Sequence, residues 1–119
     1  MIRPGPALGA GAGCAFGGGV RIYVATAPVD GRKSFDTLCE VIRMALGRDP
    51  LSGDLFVFRN RQANRAKVLF WDGNGLVLYS KRLERGAFRF PSAAEAWPTA
   101  EQTSIAMTSN ELMELLAGR

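Results

Sequence analysis

Residues 54–81, DLFVFRNRQANRAKVLFWDGNGLVLYSK, decide the fold of this chain. They contain three short runs rich in β-branched and aromatic residues, at 54–59, 67–71 and 75–81, and polar turns separate these runs. Such runs between turn residues are typical of consecutive β-strands. The second turn, DGNG at 72–75, has the glycine and asparagine residues that a tight hairpin needs. The stretch therefore predicts an antiparallel meander.

The chain before this meander predicts one strand and one helix. Residues 20–25 (VRIYVA) follow a glycine run and favour a strand. Ser34 is a suitable cap for a helix, and Gly47 is a suitable stop. The apolar residues between them recur at every third or fourth position and form one helical stripe, made of Phe35, Leu38, Cys39, Ile42 and Leu46.

The chain after the meander predicts two short strands and a helix. Residues 87–91 (AFRFP) favour a short strand that ends at a proline or lies at a sheet edge. Residues 103–107 favour a last strand. Thr108 and Glu111 have the spacing of a capping box, which predicts a C-terminal helix.

Together these elements predict a single α+β domain over residues 20–119, built on an antiparallel meander sheet of about four to five strands. One amphipathic helix follows the first strand, and the other helix is C-terminal. Residues 1–19 are rich in Gly and Ala and predict a flexible leader. The meander strands are apolar on both faces, so the second face is covered either by a helix and the Trp97 segment or by a partner.

Composition places the chain among globular proteins. Of its 119 residues, 47% are hydrophobic and 22% are charged. No apolar run reaches the roughly 20 residues of a membrane-spanning helix. Cys14 and Cys39 are too few for a disulfide framework and form no CxxC zinc motif. We therefore expect a cytoplasmic protein with no membrane partner.

The sequence lacks the residues of common active sites. It has no histidine, which removes imidazole as a general base or metal ligand. Its glycine-rich stretch lacks the lysine and hydroxyl residue of a phosphate-binding loop. Asp30, Asp36, Asp54 and Asp72 are candidates for a two-metal site, but each also suits a turn, a strand start or a helix end. We expect a protein that is not an enzyme and that uses no cofactor, metal or small-molecule substrate.

Positive charge is concentrated in and just after the meander. The net charge is +4, and residues 59–89 alone hold eight basic and two acidic residues. In an antiparallel meander, the loop after the first strand and the segment after the third strand emerge at the same end of the sheet. We therefore predict one basic patch that suits phosphate groups. A solvated rim that serves only solubility would give the same pattern.

Three stretches of the chain are similar to one protein family. They are DPLSGDLFVFRNRQANRAKVLFWDGNGLVLYSKRLERGAFRFP at 49–91, VRIYVATAPVDGRKSFDTL at 20–38 and, more loosely, TSIAMTSNELMELLAG at 103–118. In this order they resemble TnpB, the small second-frame accessory protein of the sixty-six group of bacterial insertion sequences. The chain departs from the family at Gly31 and Ser34, where methionine and glycine are common, and in its longer Gly/Ala leader.

The resemblance implies a role in transposition beside a larger transposase, in a family with no established active site. The residues themselves favour binding to an anionic partner. The combined hypothesis is an accessory protein that binds DNA at the ends of the element. Its expected DNA-binding residues are Arg32, Lys33, Arg59, Arg61, Arg65, Lys67, Lys81, Arg82 and Arg85.

Two other functions stay open at this point. An adaptor that docks the transposase would use aromatic anchors, although such residues are also typical of cores. The candidate anchors are Trp71, Tyr79, Phe88, Phe90 and Trp97. A metal-dependent nuclease would use the carboxylates, Asp72 among them.

Overall fold

The computed structural model of the protein describes residues 20–91 and 103–118. Its elements are β1 (Ile22–Ala25), α1 (Phe35–Met44), β2 (Leu55–Arg59), β3 (Arg65–Trp71), β4 (Leu76–Arg82), β5 (Ser104–Met107) and α2 (Ser109–Leu116). They match the predicted elements to within two residues, apart from the strand at 87–91, and the predicted α+β class is confirmed. The predicted leader at 1–19 and Trp97 lie outside the described residues.

The five strands form one sheet in the order β4-β3-β2-β1-β5. β2, β3 and β4 are antiparallel neighbours, so the predicted meander is confirmed. Leu69 in β3 lies between Phe56 in β2 and Leu78 in β4. The turn from β3 to β4 is tight because the Asp72 carboxylate accepts a hydrogen bond from the Gly75 N–H at 3.1 Å.

The prediction of a wholly antiparallel sheet is wrong at β1. This strand pairs with β2 in parallel, with Tyr23 opposite Phe56. It pairs with β5 in antiparallel orientation on its other side. α1 carries the chain from the end of β1 back to the start of β2, so the two strands run in the same direction. The sheet is therefore mixed.

The prediction of a strand at 87–91 is also wrong. The Phe88 N–H donates to the Ala63 carbonyl at 2.7 Å. The buried Phe88 ring meets the Phe90 ring edge-on, with 5.8 Å between the ring centroids. Both rings pack against the core on one face of the sheet. The segment covers that face as a loop, because its aromatic side chains are drawn into the core rather than into a further strand ladder.

Both faces of the sheet are covered by other parts of the same chain. On one side, here called the α1 face, Leu38 and Ile42 of α1 join a buried cluster with Phe56 and Phe58. On the other side, the α2 face, the buried cluster combines strand residues with α2 and Phe88. Its members are Ile22, Val24, Leu55, Val57, Ala66, Val68, Phe88, Leu112 and Leu115. Full burial of one large apolar side chain contributes about 1.5–3 kcal/mol, so these two clusters hold the layers together.

The helices begin as the sequence predicts. The Ser34 N–H donates to Thr37 Oγ1 at 3.0 Å at the start of α1, and Thr108 and Glu111 form the predicted capping box of α2. Cys39 is a buried free thiol, as expected, and burial raises its pKa. Neither helix in the described part of the chain has the length and apolar character to cross a bilayer.

The β2–β3 hairpin contains one residue in an unfavourable backbone conformation. Ala63 has φ 59°, and this left-handed region costs an L-residue about 1–2 kcal/mol. Ala63→Gly should raise the free energy of unfolding by about 0.5–1 kcal/mol after the extra entropy of glycine in the unfolded chain is subtracted. Urea denaturation measures the change. Ala87→Gly, at an exposed position without a positive φ, should give no increase, and a destabilised Ala63→Gly would contradict the prediction.

Candidate nucleic-acid interface

The strand registers bring the two basic connections to the same end of the sheet. Arg59, at the end of β2, lies opposite Ala66. Arg65, at the start of β3, lies opposite Arg82 at the end of β4. We call this end of the sheet the basic end. Its basic residues are Arg59, Arg61, Arg65, Lys67, Lys81, Arg82 and Arg85.

Asn60 organises the hairpin between β2 and β3. Its Oδ1 accepts a hydrogen bond from the Arg65 N–H at 3.0 Å, and its Nδ2 donates to Asn64 Oδ1 at 2.7 Å. The Asn60 carbonyl accepts from the Ala63 N–H at 3.1 Å. These bonds close the hairpin locally and leave Arg61 exposed at its tip.

Arg65 and Lys67 hold the loop that precedes α1. Arg65 Nη1 donates to the Gly31 carbonyl at 3.2 Å, and Lys67 Nζ donates to the Lys33 carbonyl. Burial, and then the charge of Arg65, lower the pKa of Lys67. A Cβ on Gly31 would lie 3.2 Å from Arg65 Cδ. The lack of a side chain on Gly31 therefore permits the close approach of Arg65 to the loop.

Arg32 is the predicted site residue whose charge a carboxylate offsets. Its Nη2 lies 2.9 Å from Asp30 Oδ2, and its Nε donates to Asp30 Oδ1 at 3.2 Å. The hydrogen bonds from Arg32 hold the pKa of Asp30 well below its ordinary value. Lys33 follows directly, and its carbonyl is the acceptor for Lys67. The loop thus brings two cations to the basic end, and both lower the pKa of Asp30.

Lys81 has a structural contact on the α2 face. Its Nζ donates to the Leu116 carbonyl at 2.7 Å. Leu116 is the last residue of α2, where helix carbonyls lack partners and carry partial negative charge. Lys81 therefore ties the end of α2 to the edge strand.

Four arginines make up the rest of the basic end. Arg59 is half-buried, and its Nη1 donates to the Asn60 carbonyl at 3.4 Å. Arg61, Arg82 and Arg85 are exposed, and their side chains make no hydrogen bond or ion pair with residues 20–91 and 103–118. Across that described part, the Arg32–Asp30 pair is the only ion pair. No carboxylate within the described ranges therefore pairs with the three exposed arginines.

The candidate carboxylates lie at two ends of the sheet. Asp30 and Asp36 flank the start of α1, next to the basic end. Asp54, which accepts from the Arg21 N–H at 3.2 Å, and Asp72 lie at the opposite end, about 20 Å away along β3. No three potential metal ligands lie together in the portion of the chain that the structure describes. The structure does not bring these carboxylates together as a two-metal site would require.

The aromatic candidates are mostly part of the core. Phe88 is buried and Phe90 packs beside it. Trp71 is half-buried, while Tyr79, in the middle of the edge strand β4, is 42% exposed. Trp97 lies outside the described residues. Among the described anchors, Tyr79 is the one that is classed as exposed.

Comparison with known proteins gives the family. A family model described as "IS66 Orf2 like protein" matches residues 20–119. The chain belongs to this family. The predicted family of insertion-sequence accessory proteins is thereby confirmed. No solved structure matches this IS66 Orf2-like chain.

Two relatives from Sinorhizobium fredii are similar to the chain over most of its length. The uncharacterized protein y4jC is 39% identical over 100 residues, which cover 84% of this chain and 80% of the relative. The uncharacterized protein y4hO is 40% identical over 102 residues, which cover 86% of this chain and 83% of the relative. Their names state no activity.

Sequence reasoning missed two residues that shape the interface. Asn60 was only part of a polar loop, because no pattern in the sequence shows that its amide closes the hairpin. The contact of Gly31 with Arg65 joins residues 34 positions apart, so no local sequence pattern predicts it. This contact becomes visible only when the structure shows that the loop before α1 lies beside the start of β3.

The contact between Lys81 and α2 should contribute to stability. Lys81→Met keeps the apolar stem and removes the donor to the Leu116 carbonyl. The free energy of unfolding should fall by about 1.5 kcal/mol, the lower end of the range for a hydrogen bond to a charged group, because Lys81 is only half-buried. Chemical denaturation measures it. Arg82→Met, at the neighbouring exposed position, is the matched control and should cause no such loss. Equal stability of wild type and Lys81→Met would show that the contact contributes nothing.

Proposed function

We propose that this protein is a non-catalytic accessory factor of insertion-sequence transposition that binds DNA through its basic end. The family supports the link to insertion sequences. The observation that carries DNA binding is the set of exposed arginines at one end of the sheet, Arg61, Arg82 and Arg85, which have no acidic partner among the described residues.

The chemistry of the basic end favours a phosphate backbone as ligand. Guanidinium groups donate in a planar fork that matches phosphate oxygens. Each cation that neutralises a DNA phosphate releases a condensed counterion, which makes affinity fall as salt rises. Contacts of this kind position a protein on DNA and carry no direct base readout. The ends of the element are the proposed DNA, and the cytoplasm is the proposed compartment.

An adaptor that docks the transposase is the second candidate. Its support is Tyr79, a residue of the edge strand that is 42% exposed, because exposed aromatic residues are common anchors of interfaces. Co-purification with the transposase after nuclease treatment, lost in Tyr79→Ala, would favour the adaptor. DNA binding has the stronger support. Three exposed arginines lack a partner in the described part of the molecule, whereas the adaptor rests on a single exposed aromatic residue.

Binding to element-end duplex should depend steeply on salt, as measured by gel retardation across a salt series. A triple variant, Arg61→Ala with Arg82→Ala and Arg85→Ala, should reduce the magnitude of the log–log salt slope by about 1 for each arginine that contacts a phosphate. The control is Arg43→Ala, which removes an exposed arginine in the last turn of α1, at the other end of the sheet. Its slope should equal that of the wild type. Absence of binding at low salt, or equal slopes in the triple variant and the wild type, would refute the proposal.

A further inference from the structure

Two arginines face each other directly across the edge of the sheet. Arg65 in β3 and Arg82 in β4 are partners in the strand register. Alternation from Leu69, which is buried beneath α1, places both side chains on the α1 face. Directly opposed residues have Cβ atoms about 4.5–5.5 Å apart, and like charges in such a pair are destabilising.

Nothing in the described part of the protein neutralises this pair. Arg82 makes no ion pair or hydrogen bond there. The one carboxylate in the adjacent loop, that of Asp30, is engaged by Arg32. Lys67 lies two residues from Arg65 on the same face, and its lowered pKa reflects in part the charge of Arg65. The α1 face of the basic end therefore carries cations that repel one another.

Arg65 and Arg82 both have guanidinium donors that bind no residue in the described part of the chain. The hydrogen bond from Arg65 to the Gly31 carbonyl uses Nη1, so the Nε–H and Nη2 donors of the same guanidinium remain. The close approach at Gly31 keeps the Arg65 side chain against the loop. Arg82 supplies a second fork from the neighbouring strand. Two adjacent guanidinium groups can bind the oxygens of one phosphate through several charge-assisted hydrogen bonds.

The opposite face of the basic end is less suited to an anion. The C-terminal end of α2 lies there, because Lys81 donates to the Leu116 carbonyl. A helix C-terminus carries partial negative charge, and Lys81 is already bound to it. The two faces of the basic end therefore differ in their electrostatics.

We propose that Arg65 and Arg82 form a clamp for one phosphate of the DNA backbone on the α1 face of the basic end, so that DNA lies along the α1 side of the sheet. The clamp rests on the proposed function, since it assigns DNA binding to one face. The clamp can also be tested separately from DNA binding, because a phosphate group alone should bind to Arg65 and Arg82. Relief of the repulsion between the two arginines by the bound anion is the source of the expected stabilisation.

The first experiment compares two exposed arginines, Arg82 on the α1 face and Arg89 in the loop that covers the α2 face. Arg82→Gln should reduce the magnitude of the salt slope for element-end duplex by about 1, and Arg89→Gln should leave it at the wild-type value. If the wild type binds DNA but Arg82→Gln keeps the full slope, the clamp is wrong and the proposed function stands. If the wild type does not bind DNA at low salt, the proposed function is wrong.

The second experiment tests the clamp without DNA. Inorganic pyrophosphate should raise the melting temperature of the wild type at low ionic strength more than sodium chloride of equal ionic strength does. Arg82→Gln should melt higher than the wild type in the absence of pyrophosphate and should not respond to it, while Arg89→Gln should respond as the wild type does. An equal response in all three proteins overturns the clamp. If pyrophosphate raises the melting temperature only of the proteins that keep Arg82, and the wild type does not bind DNA, the phosphate site stands and the proposed function is wrong.

Discussion

The register between β3 and β4 links the interior of the protein to its charged surface. Leu69 lies opposite Leu78 on the α1 face, and the same ladder puts Arg65 opposite Arg82 at its end. A shift by one residue would move every side chain of the edge strand to the other face. The leucines would then leave the core cluster beneath α1. The burial that stabilises the sheet thus also sets two like charges side by side.

The lysines and arginines of the basic end have different roles. Lys67 and Lys81 donate to backbone carbonyls and tie the loop before α1 and the end of α2 to the sheet. Arg61, Arg82 and Arg85 remain exposed. Arg65 does both, because one nitrogen of its guanidinium binds the Gly31 carbonyl and the others stay available. Lysine supplies a point charge on a long apolar stem, whereas arginine presents several donors in a plane.

The position of the basic end could be predicted because it depends on a local pattern. Alternating apolar runs with a DGNG turn determine an antiparallel meander, and a meander returns its chain to the same end after every second strand.

The parallel pairing of β1 with β2 was not predicted. The position of β1 in the sheet depends on how α1 packs across it, and periodicity within one segment carries no information about neighbours in the sheet. The AFRFP segment was misassigned for a related reason, since its pattern suits a strand but its phenylalanines are buried in the core.

The sequence by itself determined the class of the protein, its two helices, the strands other than the one wrongly predicted at 87–91, its family resemblance and the end of the sheet at which its cations gather. These follow from spacing and turn chemistry, which act over a few residues. Only the tertiary structure decided which cations bind the protein itself and which face outward. The contacts of Arg65 with Gly31, Lys67 with Lys33 and Lys81 with Leu116 each join residues 34 or 35 positions apart. Such contacts exist only once two helices have packed on opposite faces of one sheet, because that packing brings the loop before α1 and the end of α2 within reach of the lysine and arginine side chains.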